Sequence, residues 1–128
     1  MTTPKGYAGI QKDGFIASNA DGHFNPTCSQ SRVSYFRLLG CVSLVDLRSI
    51  SDDSLSWGIL KYNFVNPFSS NEAVSLILSP ARYGALVIWD DPEHKNLRAM
   101  VVPEFEVGFP DKLPLTDVEW TIQMRIKS

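Results

Sequence analysis

Two histidines, two cysteines and two pairs of adjacent acids are the side chains in this sequence that could do chemistry. His23 and His94 are far apart, and twelve residues separate Cys28 from Cys41. Metal centres draw on clustered His, Cys, Asp or Glu, with spacings such as CxxC or HxxxH. Neither spacing occurs here, so the sequence predicts no metal site and no cofactor.

The acidic pairs Asp52-Asp53 and Asp90-Asp91 could in principle supply the two carboxylates of a glycosidase. Adjacent residues of a strand point to opposite faces, however, and acids in turns commonly cap backbone amides. The chain also lacks a nucleophile elbow, a phosphate loop and a dinucleotide fingerprint. We therefore expect turns at both acidic pairs and a protein that is not an enzyme.

The length and net charge of the chain limit the classes of protein to which it can belong. The chain has 128 residues, of which 44% are apolar, and a net charge of −2. These values predict one folded domain over residues 1–128. The sequence has no run of basic residues of the kind that binds nucleic acid. It also has no apolar run that approaches the roughly 20 residues needed to cross a bilayer. The first residues lack the apolar core of a signal peptide, so we expect cytoplasmic synthesis. Cys28 and Cys41 are expected to be reduced; a disulfide bond between them is the alternative.

Most of the predicted elements are strands. Asp13-Gly14 between short apolar runs (7–10 and 15–18) favours a hairpin, and residues 18–31 form a long loop. Alternating or apolar segments predict further strands; these are residues 41–47, 57–65, 85–89, 97–102, 105–109 and 120–127.

The one predicted helix spans Ser70 to Ser79. Ser69 and Glu72 match a capping box, apolar residues recur at helical spacing, and Pro80 ends the segment. The sequence thus predicts a mainly β protein, an antiparallel β-sandwich or barrel with one short flanking α-helix at about residues 70–79.

Trp57, Trp89 and Trp120 lie in or beside predicted strands with apolar partners, and core packing explains them better than a platform for sugars or bases. Glu104 and Glu106 share one strand face with Gly108. A solvated face is the simpler interpretation; an acidic lining that repels a polyanion is the alternative.

The order of elements from Trp57 to Ser128 resembles that of bacteriophage tail tube proteins. The resemblance is carried by the Trp57-Gly58 strand, the helix of residues 70–79, the hairpin of residues 85–102 and the closing strand on Trp120. It implies hexameric rings that stack into a tube and conduct DNA as passing cargo without recognising it. It also implies contacts with other virion proteins, synthesis in the host cytoplasm and localisation in the virion.

Under this resemblance Glu104 and Glu106 would face the lumen, and the loop of residues 18–31 would contact neighbouring subunits through Asp21, His23, Phe24 and Asn25. Two alternatives remain open. One is another phage assembly protein, such as a head decoration protein or a tail terminator. The other is a small ligand- or carbohydrate-binding β-sandwich module with a cleft lined by tryptophan.

Overall fold

The computed structural model describes residues 1–18, 35–62, 71–88 and 105–125. Its α-helices are α1 (Pro4–Asp13), α2 (Tyr35–Leu38) and α3 (Asp52–Tyr62). Its strands are β1 (Phe15–Ile16), β2 (Cys41–Val45), β3 (Glu72–Leu78), β4 (Val87–Ile88), β5 (Glu106–Pro110), β6 (Leu113–Pro114) and β7 (Val118–Arg125). Short 3-10 turns cover Pro80–Ala85 and Leu115–Asp117.

The protein is mainly β, and its sheets are antiparallel, as predicted. One sheet has the strand order β2-β5-β4, and β3 pairs with β7 in a separate two-stranded ribbon. Within the described ranges no sheet closes on itself, so the barrel alternative gains no support.

The chain separates into two compact units. Unit 1 comprises Met1–Ile16, Ile50–Gly84 and Pro114–Ser128, and unit 2 comprises Ala17–Ser49 and Ala85–Leu113. Unit 1 holds the β3–β7 ribbon with α1 and α3, and unit 2 holds the three-stranded sheet with α2. The single domain inferred from chain length stays a prediction.

The predicted helix at residues 70–79 is wrong, because this segment forms β3. Val74 and Ala73 are 1% and 2% exposed although they point to opposite faces of the strand. The apolar residues of a short strand that is buried on both faces can also form the apolar stripe of a helix. Local periodicity therefore cannot distinguish such a strand from a helix. Hydrogen bonding decides, because β3 pairs with β7 on one edge and with Thr2 on the other.

The predicted strand from Trp57 is also wrong, since Trp57 lies inside α3. The polar segment before it, expected as a turn, contains the start of this helix. The backbone N–H of Ser54 donates to Ser51 Oγ at 3.2 Å, and Asp52 and Asp53 occupy the first turn. Carboxylates there interact favourably with the helix dipole. Residues 63–65 lie outside the described ranges.

The hairpin predicted around Asp13-Gly14 is replaced by α1. Thr3 caps the helix by accepting the Gly6 N–H at 3.0 Å, and Pro4 occupies the first turn. Gly14 ends it with φ at 79° and donates its N–H to the Ile10 carbonyl at 2.8 Å. The Asp-Gly pair is therefore a helix C-terminus, where glycine adopts the left-handed conformation at little cost.

β5 confirms the strand that the alternation of residues 105–109 predicts, and it is the central strand of the sheet in unit 2. Phe105, Val107 and Phe109 are all buried on one face of the strand. Gly108, on the other face, is also buried because Phe36 of α2 lies against it. Phe36 is fully buried and meets Tyr35 edge to face, with ring centroids 5.0 Å apart. A side chain at residue 108 would prevent this close packing.

We therefore predict that Gly108→Ala destabilises the protein by about 1–3 kcal/mol, the usual range for overpacking a core. A Cβ at this position would lie 2.5 Å from Phe36 Cδ1 and 2.8 Å from Cys41 Cβ. Gly9→Ala is the matched control, since a Cβ there meets nothing within 4 Å. Gly9 lies within α1, so alanine should be neutral or stabilise by up to about 1 kcal/mol. Urea unfolding followed by circular dichroism measures both variants, and equal stabilities would contradict the packing described.

Candidate functional site

The β3–β7 ribbon presents one face of mainly apolar side chains. Its register pairs Ala73 with Met124, Ser75 with Ile122 and Ile77 with Trp120. Residues directly opposite each other in an antiparallel pair point to the same face. We call this the apolar face of the ribbon, and its members are Ala73, Ser75, Ile77, Trp120, Ile122 and Met124.

Half of this apolar face is open to solvent. Trp120 is 64% exposed, Ile122 48% and Ile77 39%, whereas Ala73 at the other end is 2% exposed. Clustered, exposed, large apolar side chains are typical of surfaces that bind a partner. The alternation of residues 120–125 correctly predicts a strand, but it does not reveal that its apolar side is exposed.

The prediction that the tryptophans pack in the core is therefore wrong for Trp57 and Trp120. Trp120 lies on the open part of the apolar face, and Trp57 on α3 is 53% exposed. Trp89 lies outside the described residues.

The second edge of β7 is a further feature of the site. In the part of the chain that the structure describes, β7 forms its strand hydrogen bonds with β3 alone. Natural edge strands are commonly blocked by proline, lysine or inward-pointing charge. β7 contains neither proline nor lysine, and its only charged residues are Glu119 and Arg125 near its ends. Within the described residues, the strand thus combines an edge without a strand partner with an exposed apolar face.

A hydrogen-bonded turn fixes the start of β7 against the end of β3. The Ser79 N–H donates to the Asp117 carbonyl at 2.7 Å, and Arg82 Nε donates to Asp117 Oδ1 at 2.9 Å. The Asp117 side chain is only 13% exposed, so its ion pair is partly shielded from water. These contacts fix the Trp120 end of the apolar face.

The acidic residues expected to line a lumen are only partly described. Glu106 lies on β5, half-buried, and accepts a hydrogen bond from Ser43 Oγ at 2.9 Å. Glu104 lies outside the described residues, as do Asp21, His23, Phe24 and Asn25 of the expected inter-subunit loop. The roles of all six stay predictions.

The described residues offer little to covalent or metal chemistry. Among them, no group of three or more His, Cys, Asp or Glu residues could hold a metal ion. Cys41 is a buried free thiol, and Cys28 lies outside the described residues. Burial raises the pKa of the Cys41 thiol, which keeps it protonated and poorly nucleophilic.

None of the described helices is both long and apolar enough to cross a membrane.

A salt bridge with two side-chain hydrogen bonds joins Asp46 to Arg48 just after β2. Arg48 Nε donates to Asp46 Oδ1 at 2.9 Å, Nη2 donates to Oδ2 at 2.7 Å, and the Arg48 backbone N–H donates to Oδ1 at 3.0 Å. The side-chain hydrogen bond from Arg48 is the main reason why the pKa of Asp46 is lowered. The pair is partly exposed, so solvent screens it and its contribution to stability is modest.

Because the pKa of Asp46 is lower in the folded state, the pair stabilises the fold above the unfolded pKa of about 3.9. This contribution is lost as the pH falls through the folded pKa. We predict that Asp46→Asn destabilises the protein at pH 6 and that the difference from wild type shrinks below about pH 4. Urea titrations across this pH range measure the effect.

Arg48→Gln is the background for the control. In that background most of the pH dependence of Asp46→Asn should disappear, because the main cause of the pKa shift is gone. A difference between Asp46→Asn and wild type that does not vary with pH would show that the ion pair does not stabilise the fold.

Comparison of the chain with protein-family models, with curated proteins and with solved structures finds no match in any of the three.

Proposed function

We propose that this protein is a structural subunit that works by associating with further copies of itself. The observation that carries the proposal is β7, an eight-residue strand with an exposed apolar face and an edge left open in the described structure. Such a strand is a template for pairing with another chain.

The physical drive for association comes from two sources. Covering Trp120, Ile122 and Ile77 removes apolar surface from water, worth about 25 cal/mol per Å². Pairing along the edge of β7 supplies backbone hydrogen-bond partners in a fixed direction. The Asp117 contacts organise the start of the strand beforehand, so less ordering is required when a partner arrives.

A phage tail tube subunit is the specific form of this function that the sequence resemblance implies. The mainly β, antiparallel fold and the exposed strand support it. Two of the elements that carry the resemblance, however, are exchanged: Trp57 lies on a helix, and residues 72–78 form a strand. The broader proposal of a self-associating subunit does not depend on that order. Hexameric rings, a DNA conduit and a place in a virion are its narrower form.

A ligand-binding module is the competing function, because an exposed tryptophan can stack against a sugar ring. Ligand sites also need polar groups that fix orientation, and Ser75 is the one polar member of the apolar face. Ile77 directly opposite Trp120 makes this surface better suited to apolar protein contact than to a carbohydrate.

Sedimentation velocity and light scattering over a wide concentration range test the proposal. We expect wild-type protein to form species larger than the 14.3 kDa chain as concentration rises. Negative-stain microscopy then separates rings and tubes, as the tail tube form requires, from small closed oligomers. A monomer at every concentration would refute self-association and, with it, the tail tube.

The contribution of the apolar face is tested by Trp120→Ser combined with Ile122→Ser. Both side chains are largely exposed in the single chain, so the fold should be retained. We expect self-association to weaken by about tenfold or more, since exposed aromatic residues commonly dominate binding.

Gln123→Ala is the matched control, on the same strand but facing the opposite side of the ribbon. It should associate as wild type does. Equal weakening by both changes would assign the effect to the strand as a whole rather than to its apolar face.

A further inference from the structure

The charges and apolar residues of β7 are arranged symmetrically about Ile122. Glu119 and Arg125 each lie three residues from it, Trp120 and Met124 lie two away, and Thr121 and Gln123 are its neighbours. An acid at one end therefore mirrors a base at the other, and an apolar residue mirrors an apolar residue. This is the pattern that lets a strand pair with an antiparallel copy of itself.

We infer that β7 pairs in antiparallel fashion with β7 of a second copy, with the two Ile122 residues facing each other on a twofold axis. The inference rests on the self-association proposed above and names its edge contact. The joined apolar faces lie on the same side of the new sheet, so this contact removes apolar surface from water only where side chains of the two strands touch. Glu119 of each copy then lies opposite Arg125 of the other, and Trp120 lies opposite Met124. The two ribbons become one four-stranded sheet in the order β3-β7-β7-β3.

The geometry restricts the pairing to registers centred on a residue. A twofold axis perpendicular to the sheet keeps both apolar faces on the same side, and opposite residues must share a face. The axis therefore passes through a residue rather than between two residues. Centring on Thr121 would set Arg125 opposite Asp117, which lies outside β7 and already binds Arg82. Centring on Ile122 joins seven of the eight residues of β7 and matches both charges.

The charged residues near the two ends of β7, Glu119 and Arg125, are placed to pair with each other between two copies. Arg125 approaches Glu72 on β3, but the distance from Arg125 Nε to Glu72 Oε1 is 3.5 Å, and the Arg125 side chain is 76% exposed. Its guanidinium retains donors for a second carboxylate. Glu119 sits where the β3–β7 register shifts, because Ile77 pairs with Trp120 and Leu78 with Val118. This irregularity lies at the end of the proposed pairing and leaves the five central pairs of residues 120–124 regular.

Such a pairing closes at two copies, because the same strand is used on both sides. A ring or a tube would need a second, different contact elsewhere on the chain.

Charge reversal tests the register. Glu119→Arg alone and Arg125→Glu alone each set two like-charged pairs against each other in the dimer, and each should weaken self-association about tenfold. An equimolar mixture of the two variants restores opposite charges at both ends of the strand. We expect the mixture to associate as tightly as wild type, measured by sedimentation velocity.

Disulfide trapping provides the second test, in a Cys28→Ser background that keeps the buried Cys41. Ile122→Cys should yield a covalent dimer in oxidised glutathione, since directly opposite Cα atoms lie about 4.5–5.5 Å apart, within disulfide range. Gln123→Cys and Thr121→Cys are the controls, and each should cross-link at least about tenfold more slowly.

The outcomes separate this inference from the function on which it rests. A wild-type protein that associates, but whose association ignores both charge reversals, overturns the β7 contact and leaves the subunit function standing. Faster cross-linking of Gln123→Cys than of Ile122→Cys overturns the register centred on Ile122. A strictly monomeric wild-type protein overturns both proposals.

Discussion

The antiparallel ladder between β3 and β7 is the interaction on which the rest of unit 1 depends. It joins residues 72–78 to residues 118–125, nearly fifty positions apart in the chain, and it commits β3 to an extended backbone. On the other edge of β3, Thr2 exchanges two hydrogen bonds with Val74, at 2.8 and 2.7 Å. Val74 of β3 is thus bonded on the edge away from β7, whereas among the described residues β7 forms strand hydrogen bonds with β3 alone.

Unit 2 depends on a different constraint, the close approach of a helix to a strand. Phe36 can approach β5 this closely only because residue 108 has no side chain. The contact buries the Cys41 thiol beneath it and sets Val87 against the same cluster. Close packing of this kind accounts for a fully buried aromatic residue on a helix of only four residues, which has no stability of its own.

The two units differ in what they leave exposed, and this difference bears on function. The sheet of unit 2 buries Phe105, Val107 and Phe109, whereas the ribbon of unit 1 leaves Trp120, Ile122 and Ile77 in water. The described residues hold no metal cluster, and their cysteine is buried and protonated. The exposed residues of the ribbon are the observation from which self-association is proposed.

The sequence by itself determined the mainly β class and the strands predicted at residues 41–47, 105–109 and 120–127, which correspond to β2, β5 and β7, because strict alternation or an apolar run is a local signal. It did not determine the helix of residues 52–62 or the strand of residues 72–78. The apolar residues of the strand segment fit a helical stripe as well, and its extended conformation depends on partners distant in the chain, such as Arg125 opposite Glu72. The start of the helix lies in a polar segment whose acidic residues are equally common in turns. Nor could alternation tell whether the apolar side of β7 is covered. Periodicity reports that a strand has two unlike faces, and only the tertiary structure decides which of those faces meets the core and which meets water.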